Sequence, residues 1–192
     1  MDKVIGLGDV GCGVAEEFTA YPEYRVYKFG MDLPSRGNFL VDPQKDISSY
    51  EENIEPDDIY GYLRSIKDED EVLFVVAGGE PIGGMSLGIL EQIKDSSITV
   101  LYITPDEDVC TAEQKTNHKI LYNVFQEYAR SGVFRRLLLM SRAVLEDLVG
   151  DVPVREHEKS INYFVAYVTA MVNYCDHIEP VVSNKAKPSE IA

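Results

Sequence analysis

Four glycines fall within eight residues near the start of the chain, in the run Gly6-Leu-Gly-Asp-Val-Gly-Cys-Gly13. Glycines between a strand and a helix let the backbone approach an anion closely, and the helix N-terminus adds free N–H groups with partial positive charge. Gly6, Gly8, Gly11 and Gly13 therefore read as a candidate oxyanion site. The same spacing also suits a tight strand-to-helix turn with no ligand, and the residues alone leave both readings open. A second stretch, Gly78-Gly-Glu-Pro-Ile-Gly-Gly-Met-Ser86, has the same character. Neither stretch is followed by Gly-Lys-Ser/Thr, so no P-loop is present. A dinucleotide site requires an acid at the end of the second strand, about 20 residues on, to hold a ribose. Here Val26-Tyr-Lys-Phe-Gly30 carries none before Asp32, and no Lys, Tyr, Ser or His cluster offers a hydride-transfer site. An NAD-type enzyme ranks third among the readings.

Cys12 lies inside the first glycine run at the expected helix N-terminus, a place that lowers a thiol pKa. With no His or acid in sequence reach, it reads as a packing residue. Cys12, Cys110 and Cys175 form no C-x-x-C pair and have no histidine at ligand spacing, which fits a reducing, cytoplasmic setting without structural zinc. The 33 acidic against 18 basic side chains give a formal charge of −15. That field repels phosphate backbones and anionic lipid, so neither nucleic acid nor a membrane is an expected partner. No apolar run reaches the roughly 20 residues a bilayer requires.

The elements that must hold these residues alternate. Lys3 to Leu7 reads as a strand, Val14 to Tyr21 as a helix and Tyr24 to Phe29 as a second strand, with a long loop from Gly30 to Ser49. Pro56 opens a helix carrying Ile59, Leu63 and Ile66. Val72 to Ala77 is continuously apolar, as for a strand buried on both faces, and a helix from Ser86 to Lys94 follows the second glycine stretch. Ile98 to Thr104 is a strand, Thr111 to Ser131 an amphipathic helix, Val133 to Met140 a strand and Ala143 to Val149 a helical turn. From Pro153 to Val181 apolar residues step by three and four, the pattern of a helix about 35–40 Å long. Residues 182–192 read as a polar tail after one domain over 1–181. Strand and helix in alternation imply a Rossmann-like α/β parallel sheet with helices on both faces and a long C-terminal core helix. Ligands are expected beyond the strand C-termini, where both glycine stretches fall.

This order, with Val4-Ile-Gly-Leu-Gly-Asp-Val-Gly-Cys-Gly13, Phe74-Val-Val-Ala-Gly78, Thr99-Val-Leu-Tyr-Ile-Thr104 and Leu137-Leu-Leu-Met-Ser-Arg142, resembles the nucleotide-binding half of the tubulin and FtsZ superfamily. The resemblance covers residues 3 to 180 in element order, with motif-level identity in the two glycine stretches alone. It implies GTP or GDP with magnesium as the ligand, if any, and Gly6, Gly8, Gly11, Cys12, Gly78, Gly83, Gly84, Ser86, Asp108 and Asn162 as the residues around it. Asp106 and Asp108 lie where the family contacts ribose, and serve either as magnesium ligands or as a solvated acidic loop. His157 and Asn162 lie where the family stacks and reads the base, or stand as a surface His and a helix-flank Asn.

The departures from the family pattern weigh against turnover. The second family loop is G-G-G-T-G-[ST]-G, whereas this chain reads Glu80-Pro-Ile-Gly-Gly-Met-Ser86, with only Gly84 keeping a glycine in place. Pro81 removes an N–H donor, Ile82 adds bulk and Glu80 brings negative charge toward the phosphate position. Asp9 replaces a glycine, and Arg142 stands where the FtsZ branch has Asn and is expected to pair with an acid instead. No N-x-D-x-x-D-like element follows the long helix, so no catalytic residue is assigned. The leading expectation is an assembly or structural subunit, a homo-oligomer or part of a larger complex such as a filament or virion, with weak or no GTPase activity. A functional GTP-binding switch or filament protein is the alternative.

Overall fold

The structure is a computed structural model and describes residues 1–178; the expected tail at 182–192 lies outside them. Its centre is a six-stranded, wholly parallel sheet in the order β3-β2-β1-β4-β5-β6. The strands are β1 (Lys3–Leu7), β2 (Arg25–Gly30), β3 (Phe39–Leu40), β4 (Glu71–Ala77), β5 (Ser97–Thr104) and β6 (Arg136–Ser141). The helices are α1 (Gly8–Glu17), α2 (Ile47–Glu52), α3 (Pro56–Leu63), α4 (Ser86–Glu91), α5 (Ala112–Arg130), α6 (Arg142–Val149) and α7 (Val154–His177).

Alternate residues of the central strands feed two cores, as the period of two requires. Ile5, Leu7, Phe74, Val76, Val100 and Tyr102 face α2 to α5, meeting Tyr50, Ile59, Ile89, Leu121 and Phe125. Val4, Leu73, Val75, Ala77, Leu101 and Ile103 face α1, α6 and α7, meeting Val14, Phe18, Leu145, Ile161 and Val165. Because both faces are covered, β4 is apolar nearly throughout, and no alternation is visible in its sequence.

Several boundaries differ from expectation. The first glycine run is not a loop: α1 begins at Gly8 and ends at Glu17, followed by a 3₁₀ turn at Phe18–Ala20. Gly11 lets this early first turn lie against β4, since a Cβ there would come 2.5 Å from the Val75 carbonyl oxygen. The second glycine stretch contains a 3₁₀ turn, Pro81–Met85, and α4 stops at Glu91. The stretch expected as a loop over 30–49 is broken by β3, paired at Phe29–Phe39, and by α2, whose cap Asp46 accepts from the Ser49 N–H at 2.9 Å. β6 starts at Arg136, not Val133, because α5 ends in a paired C-terminal turn. There Gly132 at φ 78° lets its N–H reach the Ala129 carbonyl while the Val133 N–H reaches that of Tyr128, both at 3.2 Å.

Candidate functional site

The C-terminal ends of β1, β4 and β5 open onto a cleft of about 570 Å³, walled by the start of α1, the Gly78–Glu80 segment, the loop after β5, α6 and α7. That is the crevice position where open parallel sheets bind ligands, and the volume is in the range of small-molecule sites.

At the α1 end the cleft is already plugged. The Glu80 carboxylate accepts from the Asp9 N–H at 3.1 Å and from the Val10 N–H at 3.2 Å, the first-turn donors that an oxyanion would use. Gly8 makes this seat: it lies at φ +77°, and a Cβ there would collide with Glu80 Oε2. Pro81 fixes Glu80 from the other side by opening the 3₁₀ turn. Burial pushes the Glu80 carboxyl up to about 7, against the pull of the two backbone N–H groups, and the nearby Asp9 adds to the rise.

The rest of the cleft is also acidic. Asp106, Glu146 and Glu158 join Asp9 and Glu80 on its walls, with Arg142 the only cation among the lining residues. Arg142 is committed twice over. Its Nε donates to Glu146 Oε1 at 2.6 Å, and its two terminal nitrogens grip the Glu158 carboxylate in a fork. The Glu158 carboxyl is held below its ordinary value chiefly by that hydrogen bond, against its own burial. The expectation that Arg142 pairs with an acid agrees with this geometry, and the residue opens α6.

Of the ten residues that the resemblance places around a nucleotide, Gly78 and Asn162 line the cleft. Asn162 lies across Gly13, and its buried Oδ1 has no hydrogen-bond partner. Gly78 sits in a narrow slot beside Tyr102 and His118, whose Nδ1 lies 2.8 Å from the Tyr102 hydroxyl. Gly6 and Gly11 serve the packing of α1 on the sheet, and Gly83 and Gly84 pack against Leu121 and Ile47. Ser86 is wholly buried with an unpartnered hydroxyl, away from the cleft wall. Asp108 does not line the cleft; its N–H donates to the neighbouring Asp106 carboxylate, which does, at 2.9 Å. His157 is likewise absent from the wall.

Cys12 lies on the far side of α1, its thiol directed at the carbonyls of Phe29 at 3.2 Å and Gly6 at 3.5 Å. Burial pushes that thiol up to about 12, so the helix terminus does not activate it. It borders a separate cavity of about 250 Å³ shared with Asp32 and Lys28. Among the described residues no His, Cys, Asp and Glu group has the arrangement of a metal site, and no helix is long and apolar enough to cross a membrane.

Sequence reasoning missed Gln114, Cys110, Glu146 and Glu158 as wall residues. Glu146 and Glu158 carried one legible signal, since with Arg142 they step by four residues and by sixteen along two consecutive helices. Their convergence depends on how α6 and α7 pack.

No family model and no curated protein sequence matches the chain. A solved structure does: an empty FtsZ dimer from M. jannaschii superposes with a TM-score of 0.72 at 11% identity, over 98% of this chain and 58% of that one. The chain thus spans little more than half the length of that FtsZ, its N-terminal half. At this identity the match speaks for fold, and with the strand order and the long final helix it leads to one conclusion: the chain has the tubulin/FtsZ-type α/β fold.

Proposed function

We propose that this protein is an assembly subunit built on the FtsZ-type fold, with weak or no GTP hydrolysis. One observation carries the reading: the Glu80 carboxylate holds the α1 N–H groups of Asp9 and Val10 that a phosphate would need. A triphosphate would have to displace that carboxylate and then face Asp9, Asp106, Glu146 and Glu158, with Arg142 already paired. Each like-charge approach in a half-buried cleft opposes binding. With phosphate chemistry disfavoured, what supports an assembly role is the fold, shared with an FtsZ solved as a dimer. Independence from nucleic acid and membrane fits the −15 charge.

A second reading rests on the cleft itself. A volume of about 570 Å³ at the strand C-termini favours a GTP-binding subunit that pushes Glu80 aside. Thermal unfolding at pH 8 with millimolar GTP, GDP and ATP plus magnesium decides between them. Binding at 100 times Kd would add about 2.7 kcal/mol of stability. The assembly reading expects no nucleotide-dependent shift and no phosphate release; a guanine-specific rise in Tm with magnesium overturns it.

A further inference from the structure

We infer that Glu80 is a displaceable internal anion, an autoinhibitory plug that closes the first turn of α1 to oxyanions while charged and opens it when a proton removes the charge. The inference deepens the reading above and rests on it. Three features carry it. The carboxylate is seated by two backbone N–H bonds from a ten-residue helix, not by a side-chain cation. Gly8, at φ +77°, leaves the carboxylate its room, since a Cβ there would meet Glu80 Oε2 and lie 2.9 Å from Ile82 Cγ2. The socket borders a cleft with room for a ligand, so that a released Glu80 side chain leaves donors facing open space.

The charges around Glu80 set the direction of the switch. Asp9 faces it from α1, and Asp106 from the loop after β5, Arg142 and Glu146 from α6 and Glu158 from α7 line the same cleft. Arg142 is neutralised by Glu146 and Glu158, and the Asp9 carboxylate opposes ionisation of Glu80. Burial acts in the same sense and lifts the carboxyl up to about 7. A neutral carboxyl accepts the Asp9 and Val10 N–H groups less strongly and yields them to a charged competitor. Oxyanion affinity thus rises as pH falls through neutrality.

The probe is sulfate, which keeps its double charge between pH 6 and 8, followed through the ¹⁵N–¹H shifts of Asp9 and Val10. Glu80→Gln keeps the shape and removes the charge; it is expected to bind sulfate at least tenfold tighter than the natural protein at pH 8, with little difference at pH 6. Asp106→Asn, which removes a cleft charge without touching the socket, is expected to change affinity less than threefold. Equal affinities in the natural protein and Glu80→Gln at pH 8 overturn the plug, as does an equal gain in Asp106→Asn, which would mean general relief of repulsion. Should Glu80→Gln not fold, the pH dependence of the natural protein decides alone, and no gain in sulfate affinity between pH 8 and pH 6 overturns the inference. Failure here leaves a nucleotide-free assembly subunit standing, whereas a GTP shift in the natural protein at pH 8 removes that subunit reading independently of sulfate.

Discussion

Glu80 is the residue on which stability and ligand access both turn. Its folded carboxyl lies near 7 against an ordinary 4.5, so the folded state holds the proton more tightly than the unfolded chain. For an acid raised in this way, stability is fully present below pH 4.5 and is lost progressively up to about 7, above which it is level. The span corresponds to at most about 3 kcal/mol. Glu80→Gln is expected to be the more stable protein at pH 8, with the advantage vanishing by pH 4.5; urea unfolding at the two pH values measures it. An advantage that grows toward acid would show that the two N–H bonds outweigh the desolvation of the carboxylate.

At the scale of elements, α1 against β4 is the contact that places the socket. Gly11→Ala would put a Cβ 2.5 Å from the Val75 carbonyl oxygen, a backbone atom that cannot swing away. Overpacking of this kind costs about 1–3 kcal/mol. Gly61 is the matched control, since it sits inside α3, is exposed, and has nothing within 4 Å of an added Cβ. Gly61→Ala is expected to add about 0.5–1 kcal/mol through helix propensity. Opposite signs in the denaturation midpoints of the two variants are the expected result, and equal effects would show that α1 is not held against β4 at Gly11.

At the scale of the whole molecule, large apolar side chains are exposed on several elements. The outward stripe of α7 carries Tyr163, Tyr167, Met171 and Tyr174, Val144 and Leu148 are exposed on α6, and Leu139 is exposed on β6, toward the other face of the sheet. β6 is the last strand of the sheet, with Leu137, Leu138, Leu139 and Met140 in succession and no charge or proline between them to deter pairing. Against this stands the −15 charge, which separates copies at low ionic strength. Sedimentation is therefore expected to show self-association that increases with protein concentration, strengthens from 50 to 500 mM salt, and needs no nucleotide. A monomer under every condition, or assembly only with GTP, would contradict the proposed role.

The fold was legible from local patterns because parallel strands buried on both faces leave continuous apolar runs, as in Val72 to Ala77, and amphipathic helices leave three-and-four steps, as in α7. Glu80 was legible too, as a charge brought toward a phosphate position. Local residue patterns carried the element order, the parallel sheet and the chemical types that gather beyond its strand ends. Tertiary structure alone decided that Gly8 and Gly11 open a helix instead of a loop, since only the approach of β4 shows what their missing Cβ atoms make room for. It alone brought Glu146 and Glu158 onto Arg142, and moved Ser86 and Cys12 off the cleft wall. It also turned Glu80 from a repulsive neighbour into the occupant of the anion socket. Such convergence depends on helix packing and hydrogen-bond direction between segments some 70 residues apart, which spacing along the chain does not encode.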